Sequence, residues 1–80
     1  MIIYGTDQCP DCVACKADLD KAAISYEYRD ITGQLKFMKE FLALRDHEEV
    51  FQDARQEGYI GIPAIVLDSG KVTLSWENLI

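Results

Sequence analysis

The chain opens on an apolar run, Met1-Ile2-Ile3-Tyr4, closed by Gly5, which predicts a buried strand passing into a loop over residues 5–8. Pro10 suits the first position of a helix, where a missing N–H goes unneeded and the fixed φ is already helical. From there Cys12, Cys15, Leu19, Ala22 and Ala23 recur at helical spacing, an inward stripe that leaves Lys16, Asp18 and Asp20 facing water. Residues 24–31 switch to alternation, Tyr26 and Tyr28 against Glu27 and Arg29, the pattern of a half-buried edge strand. Strand, helix and strand within about 30 residues predict a βαβ unit with parallel pairing and a right-handed crossover.

Thr32 is then placed to cap a second helix. Its inner face carries Leu35, Met38, Phe41, Leu42 and the stem of Arg45, and its outer face Lys36, Lys39 and Glu40. Asp46, with Glu49 three positions on, reads as a capping box opening a short third helix that turns Val50, Phe51 and Ala54 inward and stops at Gly58. Residues 63–67, the turn Asp68-Ser69-Gly70 and residues 71–74 read as a β-hairpin, after which Ser75 caps a last helical turn reaching Ile80. The predicted order is β-α-β-α-α-β-β-α without repeat or linker. At 80 residues, the expectation is one domain, 1–80.

Charge narrows the function. The formal net charge is −6 and the basic residues are scattered rather than gathered in a stripe, which argues against a nucleic-acid partner. No apolar run is long enough to span a bilayer, and residues 1–4 lack the basic flank of a secretory signal, so no membrane partner and a cytoplasmic location are expected.

All three cysteines fall in Cys9-Pro10-Asp11-Cys12-Val13-Ala14-Cys15, too close together to staple distant segments. They form a site or nothing. A cysteine just ahead of a helix lies near unpaired N–H groups and the positive end of the helix dipole, which favour thiolate over thiol, so Cys9 is the candidate nucleophile. Cys12, one turn on and inward, is near enough to attack a mixed disulfide at Cys9 and is the candidate resolving residue. The competing reading is a zinc or copper carrier using Cys9, Cys12 and Cys15. A structural zinc site wants four ligands, however, His47 is remote, and position 19, where a cluster-binding run needs its fourth cysteine, is Leu. A redox dithiol with no metal is the favoured reading.

Strand, loop, Cys-Pro-Asp-Cys at a helix start and the distant Gly-Ile-Pro-Ala-Ile-Val-Leu-Asp-Ser-Gly-Lys-Val together resemble a glutaredoxin, within the thioredoxin-like fold, and in particular the small glutaredoxin-related proteins of bacteria. The resemblance spans nearly the whole chain. It implies an α/β domain with a four-stranded mixed sheet, order 2-1-3-4, flanked by helices. It also implies a cis bond between Ile62 and Pro63 lying against Cys9 and Cys12, with Pro10, Asp11, Ile62 and Pro63 at the substrate. The activity implied is dithiol–disulfide oxidoreduction by a monomer on protein or low-molecular-weight disulfides, through a redox-active disulfide. The resemblance implies no bound cofactor, with glutathione or a thioredoxin-reductase system as the electron donor. The chain departs from glutathione-using relatives at Thr6, where a Lys is common. It departs again at Thr73-Leu74 and Trp76, where Gly-Gly and then an acid are common, Glu77 falling one position late.

Four other residues invite roles. Cys15 shares the inward stripe and reads as core filler. His47, among Asp46, Glu48 and Glu49, reads as a solvated loop residue. Trp76 is divided between stacking on substrate and closing the edge of the core. Tyr26 and Tyr28 have strand spacing and read as cover for the sheet.

Overall fold

Strands β1 (Ile2–Gly5), β2 (Glu27–Asp30), β3 (Ala64–Val66) and β4 (Val72–Thr73) form one mixed sheet in the spatial order β2-β1-β3-β4, the order the resemblance implies. The structure, a computed structural model, describes residues 1–80. β1 runs parallel to β2, Ile2 opposite Glu27 and Gly5 opposite Asp30, and antiparallel to β3. Helices α1 (Pro10–Lys21), α2 (Leu35–His47) and α3 (Gln52–Glu57) flank the sheet, with 3-10 turns at Glu49–Phe51 and Glu77–Leu79. None is long and apolar enough to cross a membrane.

Strand alternation divides the core in two. Ile3 and its cross-strand partner Ile65 pack with Cys15 and Leu19 of α1, and Trp76 and Leu79 close that layer. Tyr4 and its partner Ala64 point the other way, onto Phe41, Phe51 and Ala54. Phe41 and Phe51 meet edge to face, centroids 5.8 Å apart. Polar groups pin α2 to the sheet as well. The Tyr4 hydroxyl donates to Glu40 Oε1 (3.0 Å), and Arg29 Nη1 donates to both Tyr4 Oη (2.9 Å) and Glu40 Oε1 (2.8 Å). Glu40, predicted to face water, is therefore a half-buried tie between two elements.

Several local expectations are corrected. The α1 stripe ends at Leu19, for the helix stops at Lys21 and both Ala22 and Ala23 are exposed. Ile24 N–H donates to Leu19 O (2.9 Å) and Ala23 N–H to Asp20 O (3.1 Å), with Ala23 at φ 58, a Schellman motif whose left-handed position holds alanine instead of glycine. Lys16 does not simply face water, since its ammonium sits 4.0 Å from the centre of the Tyr28 ring. Thr32 does not cap α2, whose N-cap is Gln34. The box at Asp46 and Glu49 does not form either, because α2 runs through to His47 and Arg55 from α3 binds the carbonyls of Arg45 and Glu48 at its end. Leu35, Leu42 and Val50, predicted inward, are exposed. Ser75 gives its hydroxyl to the Glu77 carboxylate rather than to a backbone N–H.

Candidate active site

The loop between β1 and α1 is wound on Thr6. Cys9 N–H donates to Thr6 O (3.1 Å) and Gln8 N–H to Thr6 Oγ1 (3.3 Å), closing a turn that delivers Cys9 to the helix start. Thr32 gives both its N–H (2.9 Å) and its hydroxyl (2.7 Å) to Asp30 Oδ1, so the Thr6 hydroxyl, 3.1 Å from Thr32 Oγ1, donates to Thr32. This chain runs from the cysteine loop to the end of β2. The Thr32 donors hold the Asp30 carboxyl below the usual carboxylate range. Thr6 thus acts as a brace between the cysteine loop and the end of β2.

Cys9 is the N-cap of α1, extended at φ −100 and ψ 117, and half-buried. Cys12 lies one turn on and fully buried, with Cys15 a further turn along, also fully buried; all three are free thiols. Burial pushes the Cys12 thiol up to about 12, the Thr6 backbone opposing and the neighbouring Cys9 sulfur adding to the rise. Burial, helped by the charges of Asp18 and Glu77, pushes Cys15 up to about 11. Gly5 explains how Cys12 fits. A Cβ on Gly5 would stand 2.8 Å from Cys12 Sγ, so the strand has to be bare there.

Cys9 opens on a groove of about 940 Å³. One wall is Gln8, Cys9 and Asp11; another is Met38, Phe41, Leu42 and Arg45 of α2; the third is the strip from Gly58 to Ile62. That strip is fixed from two sides. Arg45 donates to Ile60 O (2.9 Å), Tyr59 O (2.6 Å) and Ala54 O (3.3 Å). Gly61, at φ 89, leaves no room for a Cβ, which would meet Phe51 Cδ1 at 2.8 Å. The Ile62–Pro63 peptide bond is cis.

Of the residues singled out from the sequence, Cys9, Asp11 and Ile62 border one groove, Cys12 lies beneath it, and Pro10 (exposed) and Pro63 (buried) adjoin it without lining it. Trp76 is not at the site, its indole N–H being held by Asp18 Oδ2 (2.9 Å) against the Cys15 layer. His47 is exposed on the carbonyl of Ala43. No group of three or more His, Cys, Asp or Glu side chains is placed to hold a metal ion, since Cys15 faces Ile3, Leu19 and Ile65. Three features escaped the sequence reading: the Arg45 clamp, the Thr6–Thr32–Asp30 chain and the approach of Tyr28 to Cys12. Only the last left a trace, a glycine within a strand, which signals close packing at that point.

A Cys-x-x-Cys at the first βα junction of a mixed four-stranded sheet, over an open groove, defines a protein of the thioredoxin-like class. Residues 1–72 match the glutaredoxin family model, and the chain belongs to that family. It is 35% identical over 78 residues to an uncharacterized protein of Haemophilus influenzae, covering 98% of this chain and 91% of that relative. No solved structure matches it. Membership supports a thiol–disulfide oxidoreductase-like role.

Proposed function

We propose that the protein reduces disulfides through the Cys9–Cys12 dithiol. The observation that carries this reading is the pairing of a groove-facing sulfur at a helix start with a second sulfur buried one turn behind it. Cys9 Sγ attacks the substrate disulfide and one substrate sulfur leaves as thiol, giving a mixed disulfide. Cys12 Sγ then attacks Cys9 Sγ, the bond to the second substrate sulfur breaks, and its electron pair leaves with that sulfur. The Cys12 proton ends, through water, on the departing thiolate. Asp11 and Ile62 line the groove in which the substrate chain lies, with Pro10 and Pro63 shaping the segments that carry them, and no bound cofactor takes part.

Substitution separates the steps. Cys9→Ser abolishes reduction, Cys12→Ser accumulates a mixed disulfide at Cys9, and Cys15→Ser leaves both steps intact. Mass spectrometry after exposure to a small disulfide reads the outcome, and a substrate adduct on Cys12 or Cys15 of folded protein would overturn the assignment. Recycling assays with glutathione and with a thioredoxin-reductase system, run in parallel, identify the electron donor.

A further inference from the structure

Tyr28 Oη is a buried side-chain oxygen with no hydrogen-bond partner. Leaving a hydroxyl in that state costs roughly 1–3 kcal/mol, so it calls for a reason. The surroundings supply one. The space above Gly5 is shared by two polar atoms, Cys12 Sγ at 2.8 Å and Tyr28 Oη at 3.1 Å from the point a Cβ would occupy, which makes them close neighbours with no side chain between. In the resting dithiol the two atoms stand just outside hydrogen-bond geometry, and a neutral thiol, being a poor acceptor, gives the hydroxyl little reason to turn toward it. A thiolate is a strong one.

We propose that Tyr28 is a catalytic residue of the resolving step, its hydroxyl donating a hydrogen bond to Cys12 Sγ as that sulfur loses its proton and attacks the mixed disulfide at Cys9. The donor is matched to a charge that exists on the way through the reaction and is absent from the resting dithiol, so it favours the transition state without tightening the ground state. Burial raises the Tyr28 phenol above its ordinary range, with the charges of Cys12, Asp7 and Asp30 and the approach of the Asp7 carboxylate to its hydroxyl adding to the rise, so the donor keeps its proton at working pH. Around the pair stand Cys9 and Cys15 on α1, Asp7 in the preceding loop, Asp30 at the end of β2, and Lys16, whose ammonium is 2.6 Å from Asp7 Oδ1 and 4.0 Å from the Tyr28 ring centre. Lys16 and Asp7, paired with each other, largely offset one another's charge there.

The inference rests on the dithiol reading, and one experiment tests the two separately. With a chromogenic aryl disulfide in stopped flow, attack by Cys9 releases a first equivalent of coloured thiol and resolution by Cys12 a second. Tyr28→Phe keeps the ring and removes an unpaired hydroxyl, so the variant folds with stability equal to or above the parent. Its first phase keeps its rate, while the second slows roughly tenfold, as expected for losing a hydrogen bond to a charged sulfur. The second-phase pH profile is displaced by about one unit to alkaline pH. The potential of the Cys9–Cys12 couple at neutral pH stays unchanged, because neither end state carries a Cys12 thiolate. An unaltered second phase, equal slowing of both phases, or a moved potential would each overturn the role of Tyr28. A parent protein releasing only one equivalent would overturn the dithiol reading itself, and this role with it.

Discussion

Cys12 and Cys15 are fully buried, and burial, which disfavours an anion, pushes their thiols up to about 12 and about 11. In the unfolded chain the same thiols ionise near pH ~8.5. Above that pH the unfolded state releases protons that the folded state keeps, so stability falls as pH rises until the folded thiols titrate. The slope is up to about 1.4 kcal/mol per pH unit for each thiol. Cys15→Ala removes one such group without touching Cys9 or Cys12. Its unfolding free energy, from urea titrations in reducing buffer, should therefore decline less steeply than the parent's between about pH 9 and about pH 11, by roughly that slope. Parallel declines would mean that water reaches Cys15. At this scale the sequence was informative where spacing decides burial: Cys12 and Cys15 share a helical stripe with Leu19, and that stripe is the buried one. It was uninformative for Tyr28, because alternation assigns a side chain to a face but does not say where its hydroxyl ends.

Between elements, legibility followed the presence of a local signal. Pro10 marked the start of α1 and Gly58, at φ 82, the end of α3, and both stand where they were read. The end of α1 was misread because the residue that turns there is alanine. Ala23 holds φ 58, a region glycine occupies freely and a Cβ disfavours by roughly 1–2 kcal/mol. The motif forms anyway: two backbone hydrogen bonds close it, and Ile24 joins the layer that holds Leu19. Ala23→Gly should raise stability by about 0.5–1 kcal/mol, the relieved strain outweighing the extra freedom of an unfolded glycine. Chemical denaturation of the reduced protein measures it, and a loss of stability would mean that the alanine methyl makes contacts worth more than its strain. The capping box at Asp46 and Glu49 failed for the opposite reason. Its local signal was present, but a distant side chain, Arg55, took the carbonyls that close the segment, and tertiary partners of that kind are invisible to a motif.

At the scale of the whole molecule, the groove beside Cys9, where we propose that substrate binds, carries little positive charge for an anion. Arg45 is the cation that lines it, and its guanidinium is engaged by three carbonyl oxygens, those of Ala54, Tyr59 and Ile60. Lys16 is bound to Asp7, Lys71 is exposed in the β3–β4 turn, and Thr6, an uncharged residue, braces the loop beside Cys9. Glu77 lies by Ser75 and Cys15, away from the groove. Glutathione is doubly carboxylated, and holding its ends takes charge-assisted contacts worth about 1.5–3 kcal/mol each, so a site lacking two of them binds it some hundredfold or more less tightly. The net charge of −6 adds a repulsion that salt screens. Met38, Leu42, Tyr59 and Ile60 offer instead an apolar surface to a polypeptide flanking a disulfide, and Tyr59 and Ile60 are at least half exposed there. The expected outcome is that a peptide disulfide with apolar flanking residues is reduced with a lower KM than the same peptide glutathionylated. The gap should narrow as salt is raised. Steady-state rates on the two peptides decide the matter. Saturation by the glutathionylated peptide at low concentration, weakening as salt is raised, would show that Arg45 leaves its carbonyls to meet the tripeptide and that the groove selects for charge after all.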